Sequence, residues 1–197
     1  MAFRRCFLPL LAAVLVPAAS APMPALAQPA TTAAAPAADP LAAAQRAVDA
    51  GDSERALDLL APVLKREPKN ARALLLRSTA RCIGGELDDC RKDLDQALAL
   101  DPTLRQGWLN RAGLAIAEKR YDDAITALAQ AEKLDPSAAD NAINLGAVYL
   151  LQGKLEAASH EFERFLVANS RSAGAYYLVA SNFALAGYSA LAVQHLG

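Results

Sequence analysis

One stretch of sequence decides the fold, GWLNRAGLAIAEKRYDDAITALAQAEKLDP, residues 107–136. It contains two apolar segments separated by a short polar break, and it ends at Pro136. Just before it, Leu94, Ala97 and Leu98 follow one another at three residues and then one. This i, i+3, i+4 spacing predicts helices, because the residues of a strand alternate every two positions. A proline near the end of the first three pairs, at Pro68, Pro102 and Pro136, predicts that the helix stops there, whereas the fourth pair ends in Asn169-Ser170 without one.

The same layout recurs along the chain with a period of 34 residues. One column of the repeat contains small residues, namely Ala56, Cys90, Ala124, Ala158 and Ala192. Small side chains permit two helices to cross closely, and a period of this size indicates stacked units of two helices. The break between the helices falls at Gly51, Gly85, Gly153 and Gly187, with Lys119 in the third unit. Glycine there accommodates the positive φ that ends a helix.

The pattern resembles the tetratricopeptide repeat, a helix-turn-helix unit of about 34 residues. The residues that carry the resemblance are Trp108, Ala112, Tyr121-Asp122, Ala124, Ala131 and Asp135-Pro136. It implies an all-α fold, an α-solenoid of antiparallel helix pairs. The expected repeats are 37–70, which is degenerate, then 71–104, 105–138, 139–172 and the truncated 173–197. The sequence departs from the pattern at Arg77 and Arg111, where leucine is commoner, and at Pro40 in the aromatic column.

Residues 1–27 have the layout of a secretory signal peptide. Arg4 and Arg5 precede an apolar run from Cys6 to Val16, and Ala25-Leu26-Ala27 forms a cleavage site. An uncleaved anchor is the alternative, although the run is short for a membrane span. Residues 28–40 are rich in Ala and Pro and predict a flexible linker. We therefore expect a periplasmic or secreted protein with no integral membrane span after cleavage, and the Ala-rich composition suggests a Gram-negative bacterium.

The charge balance and the polar residues do not indicate catalysis or nucleic-acid binding. The net charge of the whole chain is −1, and loss of residues 1–27 leaves 18 basic and 21 acidic residues. This balance argues against a nucleic-acid partner. The two histidines, His160 and His195, have no cysteine or carboxylate pair at metal-ligand spacing. We expect no enzyme activity, no metal and no cofactor.

Two cysteines follow the predicted cleavage site, Cys82 and Cys90, on either side of Gly84-Gly85. An oxidising compartment favours a disulfide, and an antiparallel helix hairpin can bring the two Cα atoms within bridging range. The alternative is that Cys90 only fills the small-residue column.

The resemblance implies that the first helices of the units line a concave groove that binds a partner. The residues expected there are Arg72, Leu75, Thr79, Leu109, Asn110, Ile143, Asn144 and Tyr177. An asparagine amide can both donate to and accept from a peptide backbone, and family members that hold extended peptides have asparagines in the column of Asn110 and Asn144. Two other interpretations stay open: these amides cap local backbone or face water, and some of the leucines complete the core.

The function predicted from these features is a non-enzymatic protein-protein interaction scaffold of the bacterial cell envelope. It would bind a peptide or helix of a partner protein in the groove. One alternative is a structural subunit of an envelope assembly, which docks on another chain or on a second copy through the short apolar helix at Ser189–Gly197. Another is an accessory domain for an enzyme of envelope polysaccharide or peptidoglycan synthesis.

Overall fold

The structure, a computed structural model, describes residues 39–194. Residues 1–38 and 195–197, which include the predicted signal peptide, most of the linker and His195, lie outside the described residues. The described chain forms α1 (Pro40–Asp49), α2 (Ser53–Arg66), α3 (Ala71–Gly84), α4 (Leu87–Leu100), α5 (Arg105–Ala117), α6 (Tyr121–Leu134), α7 (Asp140–Leu151), α8 (Leu155–Ala168), α9 (Ala173–Leu185) and α10 (Ser189–Gln194). Every regular element between residues 39 and 194 is thus a helix, and the prediction of an all-α fold of helix pairs is confirmed.

The described chain divides into two compact units, of which the first ends at Gly107 and contains α1 to α4. In this unit α1 packs on α2, α2 on α3 and α3 on α4. Part of its core consists of Ala47, Val48, Ala56 and Ala80. Polar caps begin α2 and α3: the Asp52 carboxylate accepts from the Arg55 amide at 3.1 Å, and the Asn70 side chain accepts from the Ala73 amide at 3.0 Å. These caps satisfy backbone donors that have no partner within the first turn.

The second unit begins at Trp108 and contains most of α5 and all of α6 to α10. One core cluster joins α5, α6 and α7 around Leu109, Leu128 and Val148. Another joins α7, α8 and α9, with Phe162 and Phe183 at its centre. The rings of these two phenylalanines meet edge to face, with centroids 5.1 Å apart. Such aromatic pairs add to the stability that their buried area provides.

The breaks between helices have the predicted backbone conformation. Positive φ angles of 74°, 86°, 73° and 91° occur at Gly51, Gly85, Gly153 and Gly187. Lys119, in the same column of the third unit, has a φ of 60°. A residue with a Cβ is strained in this left-handed region, so the break of the third unit reduces stability more than the four glycine breaks do.

The small-residue columns lie at helix crossings, as expected from the period. Ala56, Ala124 and Ala158 are fully buried, and Cys90 is 2% exposed. Gly146 on α7 lies against α8, where a Cβ atom on this residue would meet the ring of Phe162 at 2.4 Å. The α7–α8 pair therefore has room for no side chain at this position.

Candidate functional site

The α3–α4 hairpin contains the two cysteines of the sequence analysis. Cys82 and Cys90 form a disulfide, with an S–S distance of 2.05 Å and Cα atoms 5.3 Å apart. Cys82 lies in the last turn of α3 and Cys90 in the first turn of α4, with the left-handed Gly85 between the helices. The cross-link thus joins the two helices of one pair beside the turn that connects them.

A buried ion cluster joins the same two helices further along. Asp93 on α4 accepts from Arg77 Nε and Nη2 at 2.7 Å each and from Arg81 Nη1 at 2.7 Å. The Asp93 side chain is 5% exposed, whereas those of the two arginines are about a quarter exposed. The hydrogen bond with Asp93 raises the pKa of Arg77 above its ordinary value. The cluster explains why arginine occupies a column where leucine is commoner: its partner lies on the facing helix.

Three of the predicted groove residues lie on α3 in the first unit. Arg72 is exposed, while Leu75 is 7% exposed and belongs to the core. Thr79 is half-buried, and its hydroxyl donates to the Leu75 carbonyl at 3.0 Å. Of these three side chains, Arg72 alone is freely presented to solvent.

The apolar groove residues of the second unit are also buried. Leu109 on α5 is 2% exposed and Ile143 on α7 is 1% exposed. The expectation that these side chains line an open surface is therefore wrong for the described structure, and their burial supports the interpretation in which the leucine column completes the core. The physical reason is that each contributes its whole side chain to a cluster shared by neighbouring helices.

Asn144 departs from its predicted place as well, and a second asparagine accompanies it. The Asn144 side chain is expected on the surface of the groove, but it is 1% exposed. Asn141, one turn earlier on α7, is also 1% exposed. No described residue hydrogen-bonds to the Nδ2 or Oδ1 atom of either amide. Two adjacent buried amides with unmet hydrogen bonds form the most unusual polar feature of the second unit.

The other asparagines of the second unit have different surroundings. Asn110 on α5 is half-buried. Asn182 on α9 is 5% exposed, and its Nδ2 donates to the Leu178 carbonyl at 2.9 Å. Asn141 was not identified from the sequence, and the available signal was its spacing of three residues from Asn144. We call Asn141 and Asn144 the α7 amide pair.

Among the apolar residues predicted to line the groove, Tyr177 is the most exposed, at 67%. Three further apolar side chains on α9 and α10 are exposed, those of Tyr176, Leu185 and Val193. No charged residue occurs between Ser172 and Gln194.

The described residues contain no group of three His, Cys, Asp or Glu side chains that is able to hold a metal ion. His160 is exposed on α8, with Nδ1 at 3.6 Å from Glu161 Oε1. A cavity of about 290 Å³ beside Lys119 is lined by charged side chains that pair with one another, such as Arg120 with Asp123. Between residues 39 and 194 no helix is long and apolar enough to cross a membrane.

Sequence and structure comparisons identify similar proteins. Two sequence profiles described as Tetratricopeptide repeat match the chain, one at residues 41–104 and 84–142 and the other at residues 115–181. The chain is 30% identical over 74 residues to U-box domain-containing protein 70 of Oryza sativa subsp. japonica, which covers 38% of this chain and 9% of that protein. It is 35% identical over 82 residues to Tetratricopeptide repeat protein 36 of Bos taurus, which covers 40% of this chain and 44% of that protein. The chain thus spans less than half the length of these curated relatives.

A solved structure extends the similarity over most of the chain. TTC0263, a thermophilic TPR protein in Thermus thermophilus, matches with a TM-score of 0.67 and 20% identity. The match covers 79% of this chain and 86% of that one. At this identity the likeness shows the fold alone.

Proposed function

From the premise that this chain belongs to the tetratricopeptide repeat family, we propose that it is a non-enzymatic scaffold of the bacterial cell envelope that binds a peptide or helix of a partner protein. Units of this family form surfaces on which protein partners bind, because each repeat packs on its neighbours and exposes the same faces in succession. Within the described residues, few buried side chains have polar atoms that lack a hydrogen-bond partner. The α7 amide pair is the most prominent of them.

The α7 amide pair is the observation that carries the proposal. A buried amide without a hydrogen-bond partner costs about 1–3 kcal/mol, and α7 contains two. A peptide backbone offers both the acceptors and the donors that an asparagine side chain needs. Both side chains are 1% exposed, so a partner segment reaches them only when the packing around α7 opens, and it then satisfies groups that the described part of this chain leaves unsatisfied.

The envelope location is a separate part of the proposal. It rests on the basic start, the apolar run and the Ala25-Leu26-Ala27 site of the first 27 residues. The Cys82–Cys90 disulfide is consistent with it, because disulfides persist in exported proteins and are rare in the cytosol.

The binding proposal is tested by crosslinking and affinity capture from native envelopes, followed by affinity measurements on the partner recovered. Replacing both amides, Asn141→Ala with Asn144→Ala, removes hydrogen bonds of about 0.5–1.5 kcal/mol each, so affinity should fall roughly 5–150-fold. Asn182→Ala is the matched control, because that buried amide already donates to the Leu178 carbonyl within α9. Equal affinity of the double variant and the control would contradict a role for the α7 amide pair. Thermal melts of each variant separate lost binding from lost folding.

A second candidate function is a structural subunit of an envelope assembly. The exposed apolar side chains of α9 and α10 favour it, because Tyr177, Leu185 and Val193 lie in a stretch of sequence that has no charged residue. Sedimentation of the purified protein distinguishes the two functions. A stoichiometric complex that Leu185→Lys disrupts would favour the assembly subunit, whereas a monomer that captures separate peptides would favour the scaffold.

A further inference from the structure

One face of α9 exposes large apolar side chains to solvent. Residues four apart lie on the same face of a helix, so Tyr177, Ser181 and Leu185 form one row along α9. Tyr177 is 67% exposed and Leu185 is 61% exposed, and Ser181 between them is half-buried. None of the 13 residues of α9 is charged. We call these three residues the α9 row.

In the two preceding repeats the position of Tyr177 belongs to a contact between helices. Leu109 and Ile143 occupy the same column of the 34-residue period, and they are 2% and 1% exposed. Leu109 shares a core cluster with Val148 of α7, and Ile143 shares one with Val179 of α9. The first helix of each of these repeats therefore buries this position together with the first helix of the next repeat. The α9 row is the same stacking face, left open to solvent.

The absence of charge on α9 selects the helix that is able to cover this face. A covering helix has to bring no unpaired charge, because a charge buried there would lose its water without gaining a counter-ion. Among the described helices, α9 and α10 are the two without a charged residue, and α10 has only 6 residues. Within the described part of the chain, α9 is thus the one uncharged helix that is long enough to cover another α9.

The order of side chains in the α9 row is self-complementary. Large residues at both ends flank a small one, so two antiparallel rows place Ser181 against its own copy and Leu185 against Tyr177. A small residue at the centre permits a close crossing. The Ser181 hydroxyl donates to the Tyr177 carbonyl of its own helix at 2.8 Å, so it brings no unpaired donor into the contact.

We propose that the α9 row is a dimerisation face, on which a second copy of this chain docks with its own α9 row, antiparallel and about a two-fold axis at Ser181. A two-fold contact of this kind uses the same patch on both copies and closes after two chains. The inference deepens the second candidate function, because it names the partner and the face of the assembly subunit. It does not depend on the α7 amide pair.

Sedimentation equilibrium of the purified protein tests the proposal. The expected result is a reversible dimer, with a mass twice that of one chain. Leu185→Lys should raise the dissociation constant by about tenfold or more, because the two-fold axis brings two unpaired charges into the contact. Val167→Lys is the matched control: Val167 on α8 is 79% exposed and lies outside the α9 row, so the dissociation constant should not change.

Ser181→Cys tests the antiparallel register, because a residue at a two-fold axis lies next to its own copy. Oxidation should link two chains through this position. Ser170→Cys, which places the same side chain at an exposed position after α8, is the control and should leave the chains unlinked. Cys82 and Cys90 are already paired, and Cys6→Ser in both variants removes the remaining thiol of the complete chain.

A chain that stays monomeric at every concentration would overturn the proposal, as would a dimer that Leu185→Lys and Val167→Lys leave equally stable. A dimer that Ser181→Cys does not link would overturn the two-fold arrangement. These outcomes are independent of the affinity test under the proposed function. If the chain is monomeric and the Asn141 and Asn144 double variant loses its envelope partner, the scaffold holds and dimerisation fails. If the chain dimerises through Leu185 and the double variant binds its partner normally, the α9 contact holds and the role of the α7 amide pair fails.

Discussion

Lys119 shows how a single residue stores strain at the break of the third unit. Its φ of 60° lies in the left-handed region, and it is the one non-glycine residue with a positive φ in the described range 39–194. The four equivalent breaks have glycine, which adopts this conformation without a Cβ clash. The side chain of Lys119 therefore costs stability that a glycine would not cost.

Lys119→Gly should raise the free energy of unfolding by about 0.5–1 kcal/mol, because the strained backbone conformation is retained without its Cβ. Urea denaturation measures the change. The matched control is the reverse substitution in the same column, Gly153→Lys, which should lower stability by about 1–2 kcal/mol. A Cβ at Gly153 meets no atom within 4 Å, so that loss reports the backbone alone. A destabilised Lys119→Gly would mean that the lysine side chain has a contact worth more than the strain.

The burial of Asn144 could not be predicted from the sequence. The column of Asn110 and Asn144 was assigned to a surface from the resemblance, and the prediction of exposure is wrong for Asn144 because its side chain is 1% exposed. Sequence spacing identifies which residues share a helix face, but it does not say what covers that face. The burial of Asn144 therefore depends on tertiary packing that no local pattern records.

At the scale of the helices, two separate interactions hold α3 and α4 together: a disulfide and a buried ion cluster. The disulfide joins residues 82 and 90, and Asp93 on α4 receives hydrogen bonds from Arg77 and Arg81 on α3. Removal of one partner from a buried charge cluster is costly, because the remaining charges lose their counter-ion in a poorly hydrated site.

Asp93→Ala should lower the free energy of unfolding by about 2–3 kcal/mol, somewhat less than the loss of a fully buried pair, because the arginines retain access to water. The control is Asp88→Ala on the same helix. Asp88 pairs with Arg91 at 3.1 Å, but its side chain is 87% exposed, so stability should change by less than about 0.5 kcal/mol. Chemical denaturation of both oxidised proteins measures the difference. Equal effects of the two substitutions would show that the Asp93 cluster adds nothing beyond a surface ion pair.

The α7–α8 pair depends on a glycine for its close approach. Gly146→Ala should lower stability by about 1–3 kcal/mol, because the new Cβ would meet the Phe162 ring at 2.4 Å. Phe162→Leu in the same chain should recover part of the loss by vacating the site of the clash. Gly174→Ala is the helical control: its Cβ meets only Ser172 Oγ at 3.6 Å, and the higher helix propensity of alanine should leave stability equal or greater. Thermal melts that show no loss for Gly146→Ala would contradict the tight crossing.

Much of this element-level description was predictable from the sequence, and the reasons are local. The i, i+3, i+4 spacing predicts the helices, and Gly51, Gly85, Gly153 and Gly187 predict the breaks because a left-handed residue is needed there. The Asp93 cluster was not predictable in the same way. Its members are 12 and 16 residues apart, and they meet only in the register of the antiparallel pair. Arg77 in a leucine column was the one sign that a charged partner exists.

For the whole molecule, the central question is whether the chain leaves the cytosol. The sequence predicts a cleavable signal peptide in residues 1–27, which lie outside the described residues. The chain from Gln28 onward has two cysteines, and both are in the disulfide. Export would place this pair in an oxidising compartment, where the bond persists.

We expect the mature protein to begin at Gln28 and to contain no free thiol. Amino-terminal sequencing of protein from the envelope fraction, with alkylation in denaturant and without reductant, measures both properties. Ala27→Leu should block processing, because signal peptidase requires a small residue before the cut, whereas Ala18→Leu leaves the site unchanged and serves as the control. A mature chain that begins at Met1 would exclude cleavage. If two cysteines are labelled in a correctly cleaved chain, the protein is exported but the disulfide does not form in the native compartment.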